Sequence, residues 1–471
     1  MYLLCRALAS ALPALFGALV YLTLPYHLFD LYQRSALNEF WAMAWVPFVL
    51  HGVLMVSRGD FRFVPYLALS YCLLLLTHLP TTLLISVALP VFILSLTRDW
   101  RRLLLAGAAL GLGAVMASIY LSSVLFETRY LRSIQGMSRP RYYDAYLFEN
   151  LVAALKSMPM PSNGNFELFV KASDLMAGGL LLLIAAMLFV LLRHPGKSSG
   201  IRDSALMVSA ALTAIFSLFM TTRLSTPLWL VIPRLRVVQF PVRWFTVTSA
   251  AVGMLAALCL TRLSRRNDRT ALIILSSALA LNVAISALVI VMAPYQPEQL
   301  GQRLQNYTDV MEYHPRWWDE QRHPEFDETP VVVQAGDATV KAIDDSGTSQ
   351  TYEVDARVRS ILAFRTLYFP GWVARVDGRV VRASPANGGH IEVVVEPGDN
   401  NLSLNLEDTT ARRWGRIASA AALVTWLGTG VFAVWMHRNR RFPGAAESKV
   451  NSEVKADRKK TASSKVKRGR R

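Results

Sequence analysis

Apolar residues run through this chain in long stretches, punctuated at intervals by short polar or basic breaks. Several stretches approach the length a helix needs to cross ~30 Å of hydrocarbon. The pattern predicts ten membrane segments, at about 3–24, 36–56, 64–78, 80–96, 103–121, 174–193, 204–221, 242–260, 271–293 and 414–436. The first is too long for a signal-peptide core and has no small-residue cleavage site, so it reads as a retained helix. The third and fourth are short, and read either as two spans or as one broken, re-entrant element. Between the ninth and tenth segments the period changes. Short alternating runs appear there: VVVQ (331–334), ATVKAI (338–343), TYEVDARV (351–358), ILAFRTLYF (361–369), WVARVDG (372–378), IEVVVEPG (391–398) and NLSLNL (401–406). DDSG, YFPG, VDG and PGDN separate them, and many short strands between turn signals predict a small β-sandwich.

The expected fold is therefore a polytopic α-helical membrane protein with a β-sandwich domain inserted before the last membrane helix. Residues 1–293 form the bundle, with a long loop at 122–173. Residues 294–413 form the polar domain, its sandwich starting near 329. Residues 414–436 are the final membrane helix, and 437–471 a disordered basic tail.

Composition supports this and narrows the chemistry. Hydrophobic residues make up 53% of the chain and the mean hydropathy is +0.31, too apolar for a soluble domain. Cys5, Cys72 and Cys259 all lie in apolar runs, so the polar domain has no disulfide framework. The histidines make no HxH or HExxH pattern, and no metal site is expected. The net charge is +17, and the segment from His437 onward holds thirteen Lys/Arg against three acids. That tail reads as a lipid-touching cytoplasmic segment rather than a nucleic-acid binder. The short loops SRGDFR (57–62), TRDWRR (97–102), RHPGKSSGIR (193–202) and TRLSRRNDR (261–269) are also basic. The positive-inside rule puts them and both termini in the cytoplasm. Residues 25–35, the turn at 78–80, and 122–173, 222–241 and 294–413 then lie outside.

Charged groups on that outer side are the candidates for function. In PYHLFDLYQRSALNEF (25–40), Asp30 and Arg34 are spaced to pair. Ser35 has the character of a helix N-cap, and Glu39 suits the first turns of the helix that follows. Together the loop and LLTHLPTTLL (75–84) assemble two carboxylates, a histidine and an arginine beside an apolar bundle. This composition suits proton transfer next to a phosphate-bearing lipid. Pro80 breaks the helix after His78. His78 then either caps a helix C-terminus or lines a wet cavity. Arg129, Arg132, Arg139 and Arg141 run against the positive-inside trend, and read either as phosphate forks or as partners of Glu127, Asp144 and Glu149. DAYLFENLVAALKS (144–157) has the spacing of a helix lying flat on the membrane. Arg234, Arg236 and Arg243 flank QFP, with Trp244 suited to an interfacial belt. Trp317, Trp318 and Trp372 suit either sugar stacking or a sandwich core.

QFPVRW (239–244), LLTHLPTTLL, PYHLFDLYQRSALNEF, EYHPRWW (312–318) and LYFPGWVARVDGRVV (367–381) fall in an order that resembles one bacterial family. It is the 6-pyruvoyl-tetrahydropterin-synthase-related membrane proteins, which look like part of the GT-C glycosyltransferase superfamily. The pterin label does not fit as chemistry, because no zinc-binding histidine triad is present. The resemblance implies a multi-pass protein of the bacterial inner membrane that transfers sugar from a polyprenyl-phosphate donor to a glycan or protein acceptor. It implies catalytic roles for Asp30 and Glu39. It implies lipid-phosphate contacts by His78, Arg34, Arg139, Arg141, Arg236 and Arg243, and sugar or acceptor contacts by Trp317 and Trp318. No metal ligand and no cofactor beyond the lipid-linked sugar follow from it, although it leaves room for a divalent cation. The family's loop matches just after the first helix here, which makes the chain N-terminally short against the family. That favours an alternative: a non-catalytic lipid-glycan binding or assembly factor with a separate partner subunit. A transporter fits less well, since no repeat is visible and the charges sit at the ends of the segments.

Overall fold

The computed structural model describes residues 1–132, 164–194, 200–264 except 233 and 239, 268–291, and 314–441 except 320, 322–325, 327–328 and 387. Among the described residues six single helices are long and apolar enough to cross a membrane: Leu37–Ser57, Leu79–Leu96, Ala172–Arg193, Pro241–Leu263, Arg269–Val291 and Thr410–Met436. Three further elements pass only as bent pairs: Ala11–Thr23 with Pro25–Gln33, Trp100–Met116 with Ser118–Tyr130, and Ser204–Phe219 with Arg223–Val231. With the shorter apolar helix Phe63–Thr77 these elements lie in the order of the expected segments, six to nine of them long and apolar enough to cross. The expected 103–121 is broken at Ala117, where Trp100–Met116 and Ser118–Tyr130 meet at 78°.

The bends are where the hydropathy reading needs correcting. The expected first span, 3–24, is not one helix. It divides into Tyr2–Arg6 and Ala11–Thr23, and the latter bends by 44° into Pro25–Gln33. Pro13 and Pro25 both lack an N–H, so each sits in a first helical turn, where none is needed. The expected outer loop at 222–241 is not a loop either, but a series of short helical turns discussed below. The third and fourth segments are two separate helices, Phe63–Thr77 and Leu79–Leu96, meeting at an extended His78.

The helix Phe245–Leu263 is the bundle's axis. In the most apolar eighteen residues of Pro241–Leu263 89% are buried, against 11% in those of Thr410–Met436 at the periphery. A helix apolar on every side suits a central position. Ala11–Thr23 packs on it at very short range: a Cβ on Gly17 would collide with the Gly253 carbonyl oxygen and stand 2.9 Å from the Ala257 Cβ. Small residues let the two backbones approach in a setting where dispersion, rather than water exclusion, drives helix association.

The polar domain consists of two antiparallel sheets. Its strands are β1 (Val331–Ala335), β2 (Ala338–Asp345), β3 (Ser349–Ala356), β4 (Ser360–Leu367), β5 (Trp372–Val376), β6 (Arg379–Val381), β7 (Ser384–Pro385), β8 (His390–Val395) and β9 (Asn401–Leu406). One sheet has the order β1-β4-β8-β7 and the other β2-β3-β9-β5-β6. Alternate residues from both, among them Tyr352, Val354, Phe364, Ala374, Val393 and Leu404, share one core. Trp372 packs on the edge of that core. Positive φ at Gly371 and Gly378 supplies the turns in YFPGW and VDG.

The domain joins the bundle through a mixed aromatic and ionic seam. Leu131 bridges Pro315, and the Tyr130 ring stacks on Trp317 at 5.9 Å. Arg316 lies over both rings. Glu127 accepts hydrogen bonds from the Thr409 hydroxyl at 2.6 Å and from Arg412 Nε at 3.1 Å, which fixes the start of the last helix. At the other end of the bundle the basic loops meet. There Arg58 donates to the Ala7 carbonyl, Arg102 to the Ser57 carbonyl, and Arg193 to Asp268.

Candidate functional site

A buried cluster of charge lies at the β-domain end, built from three sequence-distant pieces. The first is the stretch Pro25–Gln33, whose second half, Phe29–Gln33, is a π-helical turn. Such turns are rare and cluster at functional positions. The widened turn brings the Asp30 carbonyl to the Ala36 N–H at 3.0 Å and puts Ser35 at φ 51°. Ser35 is therefore not the N-cap expected from the sequence. Ala36 holds that place, with no side-chain cap. The second piece is the first turn of Leu37–Ser57, which carries Glu39. The third is the tight turn Pro241–Trp244, which delivers Arg243 to the head of the central helix.

Glu39 is the hub. Its Oε1 accepts the Tyr26 hydroxyl at 2.6 Å. Its Oε2 accepts Arg34 Nη1 at 2.9 Å and Arg243 Nε at 3.0 Å. Arg34 Nη1 also donates to Asp30 Oδ1 at 2.5 Å and to the Tyr26 oxygen at 3.1 Å. Arg243 Nη1 donates to the Val238 carbonyl at 2.7 Å, and both guanidiniums lie over the Phe240 ring. Two cations and two anions balance, as a buried cluster requires. The carboxylates are sealed, with Asp30 0% and Glu39 1% exposed, while Arg34 and Arg243 keep 10% and 11%. Among the described residues, Asp30 Oδ2 has no hydrogen-bond partner.

His78 stands near enough to feel the charges of Glu39, Arg243 and Arg34. His78 is the C-cap of Phe63–Thr77, as one sequence reading expected, but through its backbone N–H to the Leu74 carbonyl at 3.0 Å, while its ring serves the next helix. Nδ1 accepts the Thr81 N–H at 3.4 Å and pairs with the Thr81 hydroxyl at 2.8 Å, capping the N-terminus of Leu79–Leu96. An accepting Nδ1 leaves the ring proton on Nε2.

The remaining sequence candidates fall elsewhere. Trp317 and Trp318 belong to the seam: Trp317 against Tyr130 and Tyr368, Trp318 against His314 and under Arg132. Trp244 is no interfacial anchor. It is fully buried, edge-on to Phe216 at 5.6 Å. Glu127 pairs with Arg412 rather than with Arg129 or Arg132. Arg139 and Arg141 lie outside the described residues, as do Asp144 and Glu149 and the stretch 144–157, and so does the side chain of Arg236. Tyr26 was not singled out from the sequence. Its only signal was its place four residues before Asp30, on the same helical face.

No family model, curated protein or solved structure matches the chain. Among the described residues no three His, Cys, Asp or Glu side chains converge as metal ligands. The two carboxylates of the cluster face guanidiniums, an arrangement poorly suited to a divalent cation.

Proposed function

We propose that this chain is a GT-C-like membrane glycosyltransferase, taking sugar from a polyprenyl-phosphate donor at the outer face of a bacterial inner membrane. One observation carries the reading: Glu39 holds two guanidiniums side by side at the rim, next to a carboxylate with an unused oxygen. Among the described residues Arg34 bonds through Nη1 and Arg243 through Nε and Nη1. Two guanidiniums held on one carboxylate, with His78 within electrostatic reach, supply the kind of donors that suit a lipid phosphate. Glu39 takes three donors, which gives it a positioning role rather than that of a base. Asp30 is the better base: Oδ2 takes the acceptor hydroxyl proton, and the hydroxyl oxygen bonds to the anomeric carbon. The bond from that carbon to the phosphate oxygen breaks, and polyprenyl phosphate leaves with the electron pair. The basic loops meeting opposite the β-domain favour cytoplasmic termini.

The test is native mass spectrometry of the purified protein, paired with transfer from a labelled polyprenyl-phosphate sugar. Wild type retains lipid and transfers sugar. Asp30→Asn retains lipid without transfer, and Arg243→Gln loses lipid. Transfer by Asp30→Asn at the wild-type rate would remove it as the base. A second reading, a non-catalytic lipid-glycan binding or assembly factor working with a partner subunit, is favoured by the sealed carboxylates, which admit no acceptor in this conformation. Lipid retention without transfer by wild type would select it.

A further inference from the structure

The stretch between the helices Gly200–Phe219 and Phe245–Leu263 contains more than its contribution to the charge cluster. It runs through Arg223–Ser225, Thr226–Val231 and Leu235–Val238. Ser204–Phe219 and Arg223–Val231 meet at 93°. The stretch therefore runs nearly at right angles to the helix that precedes it. The corner is pinned from inside: the Met220 carbonyl accepts Trp229 Nε1 at 3.2 Å and Ser225 Oγ at 3.1 Å. Trp229, Leu235 and Val238 are fully buried in the bundle core.

The opposite side of the stretch is also apolar, and none of the described residues covers it. Leu224 is 79% exposed and Val231 76%, and Leu230 and Val237 are each half exposed. Water would be a poor medium for four aliphatic side chains on one short stretch. The surface continues that of the preceding helix, whose Val208, Leu212 and Ile215 are also exposed at helical spacing. Between Val231 and Val237, Arg234 is exposed and takes a left-handed φ of 62°, which turns the chain. A cation amid aliphatic side chains is the pattern of a segment seated at the level of lipid headgroups.

We infer that residues 223–238 form an interfacial segment that inserts Leu224, Leu230, Val231 and Val237 into the acyl region of the leaflet at the β-domain end, with Arg234 at the lipid phosphates. This inference does not depend on the glycosyltransferase reading.

The test uses the full chain in nanodiscs of phosphatidylcholine and phosphatidylglycerol. The native cysteines are all buried, so new thiols are the reactive ones. Leu224→Cys, Leu230→Cys, Val231→Cys and Val237→Cys are each labelled with bimane and exposed to doxyl-labelled lipid or to aqueous iodide. Doxyl lipid is expected to be the stronger quencher at all four positions. Stronger quenching by iodide would make the stretch an aqueous loop. Protection from both would mean that protein covers it, and either result overturns the inference. Labelling of the same variants in vesicles by a membrane-impermeant maleimide is an independent readout, with slow reaction expected and fast reaction against the proposal.

Discussion

Tyr26 donates its phenolic hydrogen to Glu39 across 2.6 Å, with both side chains buried in the wall of the bundle. The contact joins a short helix to the start of the next long one and closes a ring of charge that includes Arg34 and Arg243. Removing the hub leaves two guanidiniums without their shared anion. Glu39→Ala is expected to cost about 3–5 kcal/mol, the range for breaking a buried ion pair. Tyr26→Phe should cost about 1.5–3 kcal/mol, as for one hydrogen bond to a charged group. Unfolding in detergent micelles measures both. A Glu39→Ala midpoint at the wild-type value would contradict the network.

His78 has two roles that substitution separates. Its ring caps Leu79–Leu96 through the Thr81 N–H. Losing a cap costs about 1 kcal/mol, and asparagine is a good replacement. His78→Ala should lower stability by that amount and His78→Asn should restore it. If His78 Nε2 also meets a lipid phosphate, lipid retention falls in both variants. Full retention in His78→Asn would confine the residue to capping.

Gly17 and Gly253 set the distance between the first long helix and the central one. A methyl at position 17 points into the Gly253 backbone, which has no rotamer by which to yield. Gly17→Ala is expected to destabilise by about 1–3 kcal/mol, the range for overpacking. Gly107→Ala, with open space around it, is the neutral control. Equal midpoints for the two variants in thermal unfolding would show that the helices do not pack this way.

Asp268 lies at the opposite end, outside the spans. It accepts the Ala271 N–H at 3.0 Å and Arg193 Nε at 2.6 Å. These donors, the backbone one first, lower its pKa to about 2. A carboxylate with a depressed folded pKa contributes stability above its unfolded value of about 4 and loses it as the pH falls toward 2. The stability gap between wild type and Asp268→Asn should therefore be present near neutral pH and close between about pH 4 and 2. A gap unchanged at about pH 2 would assign it to packing rather than charge.

Hydropathy and alternation determined the coarse plan by themselves, because both read local physics. A helix in lipid must satisfy its own backbone and present apolar side chains, and a strand with one wet face must alternate. The segments, the β-domain and the Asp30–Arg34 pair follow from spacing along the chain. Tertiary structure decided the rest. Glu39 and Arg243 are far apart in sequence and meet only because the central helix begins beside the π-helical turn. Tyr26 enters the site for the same reason. The corner at residues 220–222 is invisible to hydropathy, since a segment lying in the interface and one crossing the membrane can be equally apolar. What the tertiary structure adds is the right-angled turn of the chain, pinned by the buried Trp229 and its hydrogen bond to the Met220 carbonyl.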